Sequence, residues 1–293
     1  MLSKSQPFFW TVVFLSSLLI SNVSAEELTA EEIITKANQV RGGYDSISDL
    51  EFLFQNRGDK VRRHAYKMLW KDYPDDPKID SKLIFFSEFP PDTVGTAFMA
   101  WIYPKALNQE EDHWLYMPSM RTVRKLTHIR NNDLDEGGQH HGHDVDEGSD
   151  PFAKSELQRA HLDIRHADLD ILTLLPKETI RNREYYVVEA VPKEQTKDYP
   201  YSKAKIWIEA KYFLKSKIDY FVSGDQLELR HFIKWKKIGD DWVWEKVAAR
   251  NFRTGNKTHL NITNIQLNVG LQDRDFTKRV MKGGQSRIKQ IRK

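Results

Sequence analysis

The sequence predicts a mainly β protein of the α+β class. We expect an open, strongly curved antiparallel half-barrel of about eleven strands, with an N-terminal helix and a helical lid. Three observations carry this prediction: apolar residues recur at every second position over most of the chain, turn residues divide these runs at intervals of roughly 8–12 residues, and only two segments show helical signals. A sheet of this size should curl.

The first residues are predicted to be a segment separate from the fold. A lysine precedes an apolar run from Phe8 to Ile20, and small or polar residues then lead to Ala25. This pattern is typical of a secretory signal peptide that is cleaved after Ala25. We therefore assign residues 1–25 to the signal and 26–293 to one periplasmic domain. The alternative is a membrane anchor, but the run is shorter than the roughly 20 apolar residues of a span.

The composition excludes several classes of protein. The chain has 293 residues, is 40% hydrophobic and carries a formal net charge of +3, so it can bury a core and is not a nucleic-acid binder by bulk charge. It contains no cysteine, which excludes disulfides and the lipid-anchored cysteine of bacterial lipoproteins. It has no Gly-x-Ser-x-Gly elbow and no phosphate-binding glycine loop. The sequence therefore favours a protein that is not an enzyme and needs no cofactor.

The mature chain is predicted to open with a helix and six strands. Thr29 and Glu32 form a capping box, apolar residues follow at helical spacing, and Gly42-Gly43 ends the helix. Turns rich in Gly, Pro and Asp then separate the strands. These strands are Leu50–Arg57, Arg63–Tyr73, Lys82–Phe89, Thr93–Tyr103, His113–Met117 and Arg121–Leu126.

The middle of the chain, residues 131–165, is predicted to be a loop-and-helix lid over one mouth of the sheet. It is polar and rich in Gly and His, and Asp150-Pro151 is a pattern that starts a helix. A basic tail at 281–293 is expected either to attract anionic lipid or to be an unstructured terminus. Between lid and tail a meander of strands is predicted: Glu184–Val191, Lys205–Ala210, Leu214–Phe221, Gln226–Lys237, Asp241–Phe252 and Lys257–Val269.

Two of the predicted strands are apolar on both faces. Residues 83–86 and 97–103 lack the polar positions of a strand with one wet side, so both faces must be covered. The cover is either more protein, giving a thick core, or an acyl chain, which gains about 0.8 kcal/mol per buried methylene. Periodicity alone favours the core. For a lipid-binding sheet, alternation predicts a cavity lined by Phe52, Phe54, Phe85, Met99, Trp101, Trp114 and Tyr116.

One stretch of the sequence carries a family resemblance. Asp112–Leu126 contains the pattern Trp-Leu-Tyr-x-Pro-x-x-Arg-x-Val-Arg, and Gly148-Ser149-Asp150 follows downstream. The chain resembles the outer membrane lipoprotein-sorting protein family, relatives of the LolA-type periplasmic carriers. The resemblance implies a LolA/LolB-like open barrel that binds lipid or lipoprotein acyl chains between the inner and outer membranes, with transient membrane contact. It also implies an exporter of the resistance-nodulation-division type as a partner.

Basic residues of this motif have two interpretations. Our hypothesis is that Arg121 or Arg124 lies near the barrel mouth and pairs with Asp150 or with an anionic group on the cargo. The alternative is a structural salt bridge that ties the loop to the strand. Gly148, Ser149 and Phe152 are assigned to the same lid motif.

A cluster of histidine and acidic residues lies in the predicted lid. His140, His141 and His143 precede three acidic residues within eight positions, and such groups suit Zn, Ni or Cu. The spacing matches no catalytic metal motif, so a solvated loop is favoured over a metal site. A third interpretation is a pH-responsive lid, because histidine titrates near pH 6.5.

The favoured function is therefore a carrier of lipid or lipoprotein acyl chains. Two alternatives stay open. One is an accessory protein that docks to a membrane transporter and fills the barrel with its own side chains. The other is a metal-dependent hydrolase that uses the histidine-rich loop.

Overall fold

The computed structural model describes residues 27–40, 42–107, 109–126, 152, 155–157, 165–196 and 199–284. Within these residues thirteen strands form one antiparallel sheet, which curls into an open half-barrel. The predicted fold class is thus confirmed. The predicted signal peptide and its cleavage site lie outside the described residues.

Two α-helices and two runs of strands make up the described chain. The helices are α1, Ala30–Asn38, and α2, Lys278–Gly283. The first run is β1 Asp45–Gln55, β2 Val61–Asp72, β3 Ser81–Phe89, β4 Ala97–Ile102, β5 Asp112–Met117 and β6 Thr122–Leu126. The second run is β7 Asp170–Ile180, β8 Arg183–Pro192, β9 Lys203–Glu209, β10 Leu214–Val222, β11 Gln226–Ile238, β12 Asp241–Asn251 and β13 Lys257–Leu267.

The strand order determines which segment can cover the sheet. The order is β6-β5-β4-β3-β2-β1-β13-β12-β11-β10-β9-β8-β7, so two meanders join where β1 pairs with β13. Strands β6 and β7 are consecutive in the chain but form the two opposite edges of the sheet. The described residues between them, 152, 155–157 and 165–169, therefore belong to a connection that joins the two opposite edges.

Strand β7 was missed by the sequence analysis. It contains Pro176, and proline argues against a central strand because it has no N–H to donate to a neighbour. The structure places β7 at an edge, with its register shifting between Leu175 and Glu178. At an edge one side of the strand has no partner, so the missing donor costs no ladder hydrogen bond.

Helix α1 begins as the sequence predicts. The Thr29 side chain accepts a hydrogen bond from the Glu32 amide at 3.2 Å, and the Glu32 carboxylate accepts one from the Thr29 amide at 2.9 Å. Ile33 on the buried side packs with Val188 and Ile208 of β8 and β9. The helix therefore covers the end of the sheet that is remote from β1–β6.

The strand register assigns side chains to two faces of the sheet. We call the inner face the one that carries Phe52, Met68, Phe85 and Phe98, and the outer face the one that carries Ile84 and its neighbours. Phe85 lies opposite both Met68 and Phe98, and directly paired residues of antiparallel strands share a face. No helix within the described residues is long and apolar enough to cross a membrane.

The C-terminal segment covers the outer face of β1–β5. Leu271, Phe276 and Met281 pack there in one cluster with Ile84 and Met99. Because Met281 is fully buried, with 0% exposure, the basic tail does not begin at 281 as predicted. The rest of that predicted tail, from 285 onward, lies outside the described residues.

A buried aspartate holds the C-terminal segment in place. Asp45 is 5% exposed. Its carboxylate accepts hydrogen bonds from the backbone amides of Val269, Gly270 and Leu271 at 2.7, 3.2 and 3.1 Å. This turn directs the chain from β13 onto the outer face, which explains why strands β3 and β4 are apolar on both sides.

Candidate functional site

The inner face carries the largest cluster of buried apolar residues among those described. Aromatic rings run across it: Phe85 lies 6.1 Å from Tyr66 and 6.3 Å from Phe98, measured between ring centroids. The cluster extends through both meanders. Its buried strand residues are Leu50, Phe52, Phe54, Tyr66, Leu83, Phe85, Phe98, Ala100, Ala204, Ile218, Tyr220, Leu229, Ile233, Val247, Ala249 and Leu260.

Part of the connection between the two sheet edges lies on this face. We call Phe152 and residues 155–157 the lid segment. The Phe152 ring lies 5.2 Å from Phe52 and 6.0 Å from Phe85, and Leu157 is fully buried in the same cluster. These residues form a turn and bends rather than part of the predicted helix. The remainder of the predicted lid lies outside the described residues.

Polar contacts fix the lid segment to β12 and β13. The Glu156 amide donates to the Thr258 hydroxyl at 3.0 Å, and the Asn251 side-chain amide donates to the Glu156 carboxylate at 3.0 Å. His231, which is 1% exposed, lies 3.3 Å from the Glu156 carbonyl. The lid segment is thus attached by a few hydrogen bonds and two apolar side chains.

A tyrosine cluster covers the inner face beside the lid segment. Tyr199 and Tyr201 precede β9 and pack on Tyr220 of β10, with ring centroids 6.2 and 4.7 Å away. Burial raises the pKa of all three hydroxyls above the usual value for tyrosine, so they stay protonated at neutral pH. The Arg165 guanidinium lies 3.8 Å from the centre of the Tyr199 ring and forms a bidentate pair with Asp170.

The structure divides the seven predicted cavity residues between the two faces. Phe52, Phe54 and Phe85 lie on the inner face. Met99, Trp101, Trp114 and Tyr116 lie on the outer face, against the C-terminal segment. The seven residues therefore do not share one face, and a role of the three inner-face residues in binding an acyl chain stays a prediction. The physical reason is that alternation separates two faces without saying which is concave.

The motif arginines lie at the β5–β6 hairpin. Arg121 is exposed in the turn, with a left-handed φ of 53°, rather than on the predicted strand. Arg124, on β6, is exposed and lies opposite Leu115 of β5. The neighbouring Lys125 pairs with Asp112 at 2.5 Å. Gly148, Ser149 and Asp150 lie outside the described residues, so the arginine–aspartate pairing stays a prediction.

The predicted metal ligands also fall outside the described part of the chain. His140, His141 and His143 belong to the segment from 127 to 151, which the structure does not describe. Elsewhere, the described residues contain no group of three or more His, Cys, Asp or Glu side chains that could hold a metal ion. A metal site at these histidines therefore stays a prediction.

Lys215 is a partly buried cation at the end of the inner face nearest α1. It lies opposite Ile208, and its ammonium group donates a hydrogen bond to the Asn38 side chain. Within the described chain no carboxylate pairs with it. Burial lowers the pKa of Lys215 to about 8, because the charged form loses solvation.

The lowered pKa of Lys215 predicts a rise of stability with pH. The unfolded chain holds the Lys215 proton up to about pH 10.4, whereas the folded chain releases it near its pKa of about 8. Between these values unfolding takes up a proton, so the free energy of unfolding rises with pH and falls again as pH returns to 8. We expect Lys215→Met to abolish this rise and to stabilise the protein at pH 7 by roughly 1–3 kcal/mol. Urea unfolding at several pH values measures both effects; an unchanged slope in the variant contradicts the assignment.

Comparison with family models gives one match. A family described as "Uncharacterized protein" matches residues 79–283, which is well over half of the chain. The chain belongs to that family. No curated protein matches the sequence.

Solved structures with the LolA-like fold match nearly the whole chain. A candidate outer membrane lipoprotein-sorting protein domain from Vibrio parahaemolyticus is 23% identical, with a TM-score of 0.65, and the match covers 86% of this chain and 98% of that one. A DUF1329 family protein from Desulfovibrio piger is 24% identical, with a TM-score of 0.66, over 86% and 97% of the two chains. A LolA superfamily protein from Nitrosomonas europaea is 17% identical, with a TM-score of 0.56, over 87% and 100%. The predicted resemblance to LolA-like proteins is thus confirmed for the fold.

Proposed function

We propose that the protein is a lipid carrier that shields acyl chains against its inner face. This proposal rests on which segment covers the inner face. A continuous aromatic and aliphatic face is closed partly by Phe152 and Leu157 of the lid segment, which lie outside the strands of the sheet. A cover of this kind can leave while the sheet keeps its hydrogen bonds.

The energetics of exchange suit a carrier. Removing a large apolar side chain from a buried site costs about 1.5–3 kcal/mol, so exposing Phe152 and Leu157 costs roughly 3–6 kcal/mol. Burying ten methylenes of an acyl chain gains about 8 kcal/mol. The balance is favourable but small, which permits both loading and release.

The comparisons support this assignment, since one matching structure is named for lipoprotein sorting and another for the LolA superfamily. We extend the proposal to a periplasmic location and to transfer between the inner and outer membranes with transient membrane contact. An exporter of the resistance-nodulation-division type as the partner is a further prediction from the sequence resemblance. The proposal assigns no catalytic step to the protein.

Replacing Phe152 by alanine tests the exchange. The variant removes the lid contact with Phe52 and Phe85, so the lid competes less with an acyl chain. We expect the dissociation constant of a fluorescent fatty-acid probe to fall by about tenfold, the equivalent of roughly 1.4 kcal/mol.

The matched control is Phe232→Ala on the outer face, where the side chain is 52% exposed. This variant should bind the probe as the unchanged protein does. Absence of probe binding to either the unchanged protein or Phe152→Ala would refute the carrier.

The filled inner face also favours a second candidate, an accessory protein that binds no lipid. In that case Phe152, Leu157 and Tyr199 are permanent core residues. Native mass spectrometry of the full chain, purified from a bacterial envelope without detergent, separates the two candidates. Co-purified lipid supports the carrier. A lipid-free protein that also does not bind the fluorescent fatty-acid probe supports the accessory role.

A further inference from the structure

A polar cleft of about 320 Å³ opens at one end of the inner face. It lies where the β1–β2 and β12–β13 hairpins meet the lid segment. Its cationic lining residues are Lys60, Arg62 and Lys257. None of the three pairs with a carboxylate of the described chain, unlike the neighbouring Arg63, which binds Glu51 at 2.7 Å.

The only acid in the lining belongs to the lid segment. Glu156 lines the cleft, and its carboxylate accepts a hydrogen bond from the Asn251 side-chain amide. The Glu156 backbone amide donates a hydrogen bond to the hydroxyl of Thr258, a residue that also lines the cleft. Departure of the lid segment therefore removes the one negative charge of the lining and frees a hydroxyl beside three cations.

The cleft is continuous with the proposed acyl-chain surface. Phe54 lines the cleft and also belongs to the inner-face cluster, where its ring stacks on Phe52 at 5.7 Å. Arg62 lies opposite Phe54 on the same face, so a molecule with apolar chains on the inner face would place its polar end beside Arg62.

We propose that this cleft binds the anionic head group of the transported lipid, a phosphate or carboxylate. The inference rests on the proposed carrier function and deepens it, because it names an anionic amphiphile as the cargo. Arginine and lysine donate charge-assisted hydrogen bonds to such oxygens, and the Thr258 hydroxyl adds a further donor. The lid carboxylate occupies the cleft only when the cargo is absent, so the same movement uncovers both the apolar and the cationic parts of the site.

Calorimetric titration of the full chain tests this inference with two lipids that share their chains. Dioctanoyl phosphatidylglycerol is anionic, and dioctanoyl phosphatidylcholine has no net charge. We expect the anionic lipid to bind about tenfold more tightly at low salt. The double variant Lys60→Gln/Arg62→Gln should lose this preference and bind the choline lipid as before.

The matched control is Lys236→Gln/Lys246→Gln. These two exposed cations lie on β11 and β12 and do not line the cleft, so the control changes the net charge equally and should keep the preference. Inorganic phosphate is titrated as a competitor, to separate a head-group site from a site for the free anion.

Each outcome has one meaning. Equal binding of the two lipids to the unchanged protein overturns the head-group site but leaves the carrier function standing. A preference that survives in Lys60→Gln/Arg62→Gln also overturns it. Phosphate that binds as tightly as the anionic lipid replaces the head-group site with a free-anion site. If neither lipid binds, the carrier function fails and this inference fails with it.

Discussion

Replacing Phe52 by alanine is expected to lower the free energy of unfolding by about 3–5 kcal/mol. The side chain is fully buried, and its ring lies within 6.0 Å of the rings of Phe54, Tyr66 and Phe152. Alanine leaves a cavity between β1, β2 and the lid segment, which these rigid strands fill only in part. Chemical denaturation followed by tryptophan fluorescence measures the loss.

Two further variants test whether the loss comes from the buried volume of the Phe52 ring. Phe52→Leu keeps most of the volume and should lose no more than about 1.5 kcal/mol. Phe232→Ala removes the same ring from an exposed position on the outer face, and it should change stability by less than about 0.5 kcal/mol. Equal losses for Phe52→Ala and Phe232→Ala would mean that the inner face is not a packed core.

Replacing Asp45 by alanine is expected to cost about 3–5 kcal/mol, because three backbone amides lose a charged acceptor at once. Those amides begin the segment that seals the outer face with Leu271, Phe276 and Met281. We therefore expect faster proteolysis after residue 268 and increased binding of a hydrophobic dye, besides the loss measured by denaturation.

Asp45→Asn retains one acceptor oxygen and should lose less than Asp45→Ala. Asp240→Ala at the exposed β11–β12 turn should be nearly neutral, because only a pair at 3.8 Å with Lys237 is lost. A C-terminal segment as resistant to protease in Asp45→Ala as in the unchanged protein would show that apolar packing alone holds it.

Local chemistry allowed much of the fold to be predicted from the sequence. The capping box of Thr29 and Glu32 defined the start of α1, and glycine, proline and aspartate turns separated most of the strands close to their observed bounds. Strand β7 was not predicted, and its local chemistry explains why. Pro176 lowers the propensity of any strand, and only the position of β7 at an edge makes it acceptable.

The cationic cleft could not have been found from the sequence. Its residues come from two hairpins and the lid segment, so Arg62, Glu156 and Lys257 meet only when β1 pairs with β13. In the sequence each is an ordinary charged residue near a turn. No local sequence pattern indicates that β1 pairs with β13.

By itself, the sequence determined that the chain forms a large antiparallel sheet and that strands such as β3 and β4 need cover on both sides. Only the tertiary structure decided which cover lies where. Alternation has a period of two and is symmetric between the faces. The two faces differ because different distant segments pack on them. The lid segment and the tyrosines pack on Phe52 and Phe85 of the inner face. The C-terminal segment, anchored by Asp45, packs on Met99 and Trp114 of the outer face.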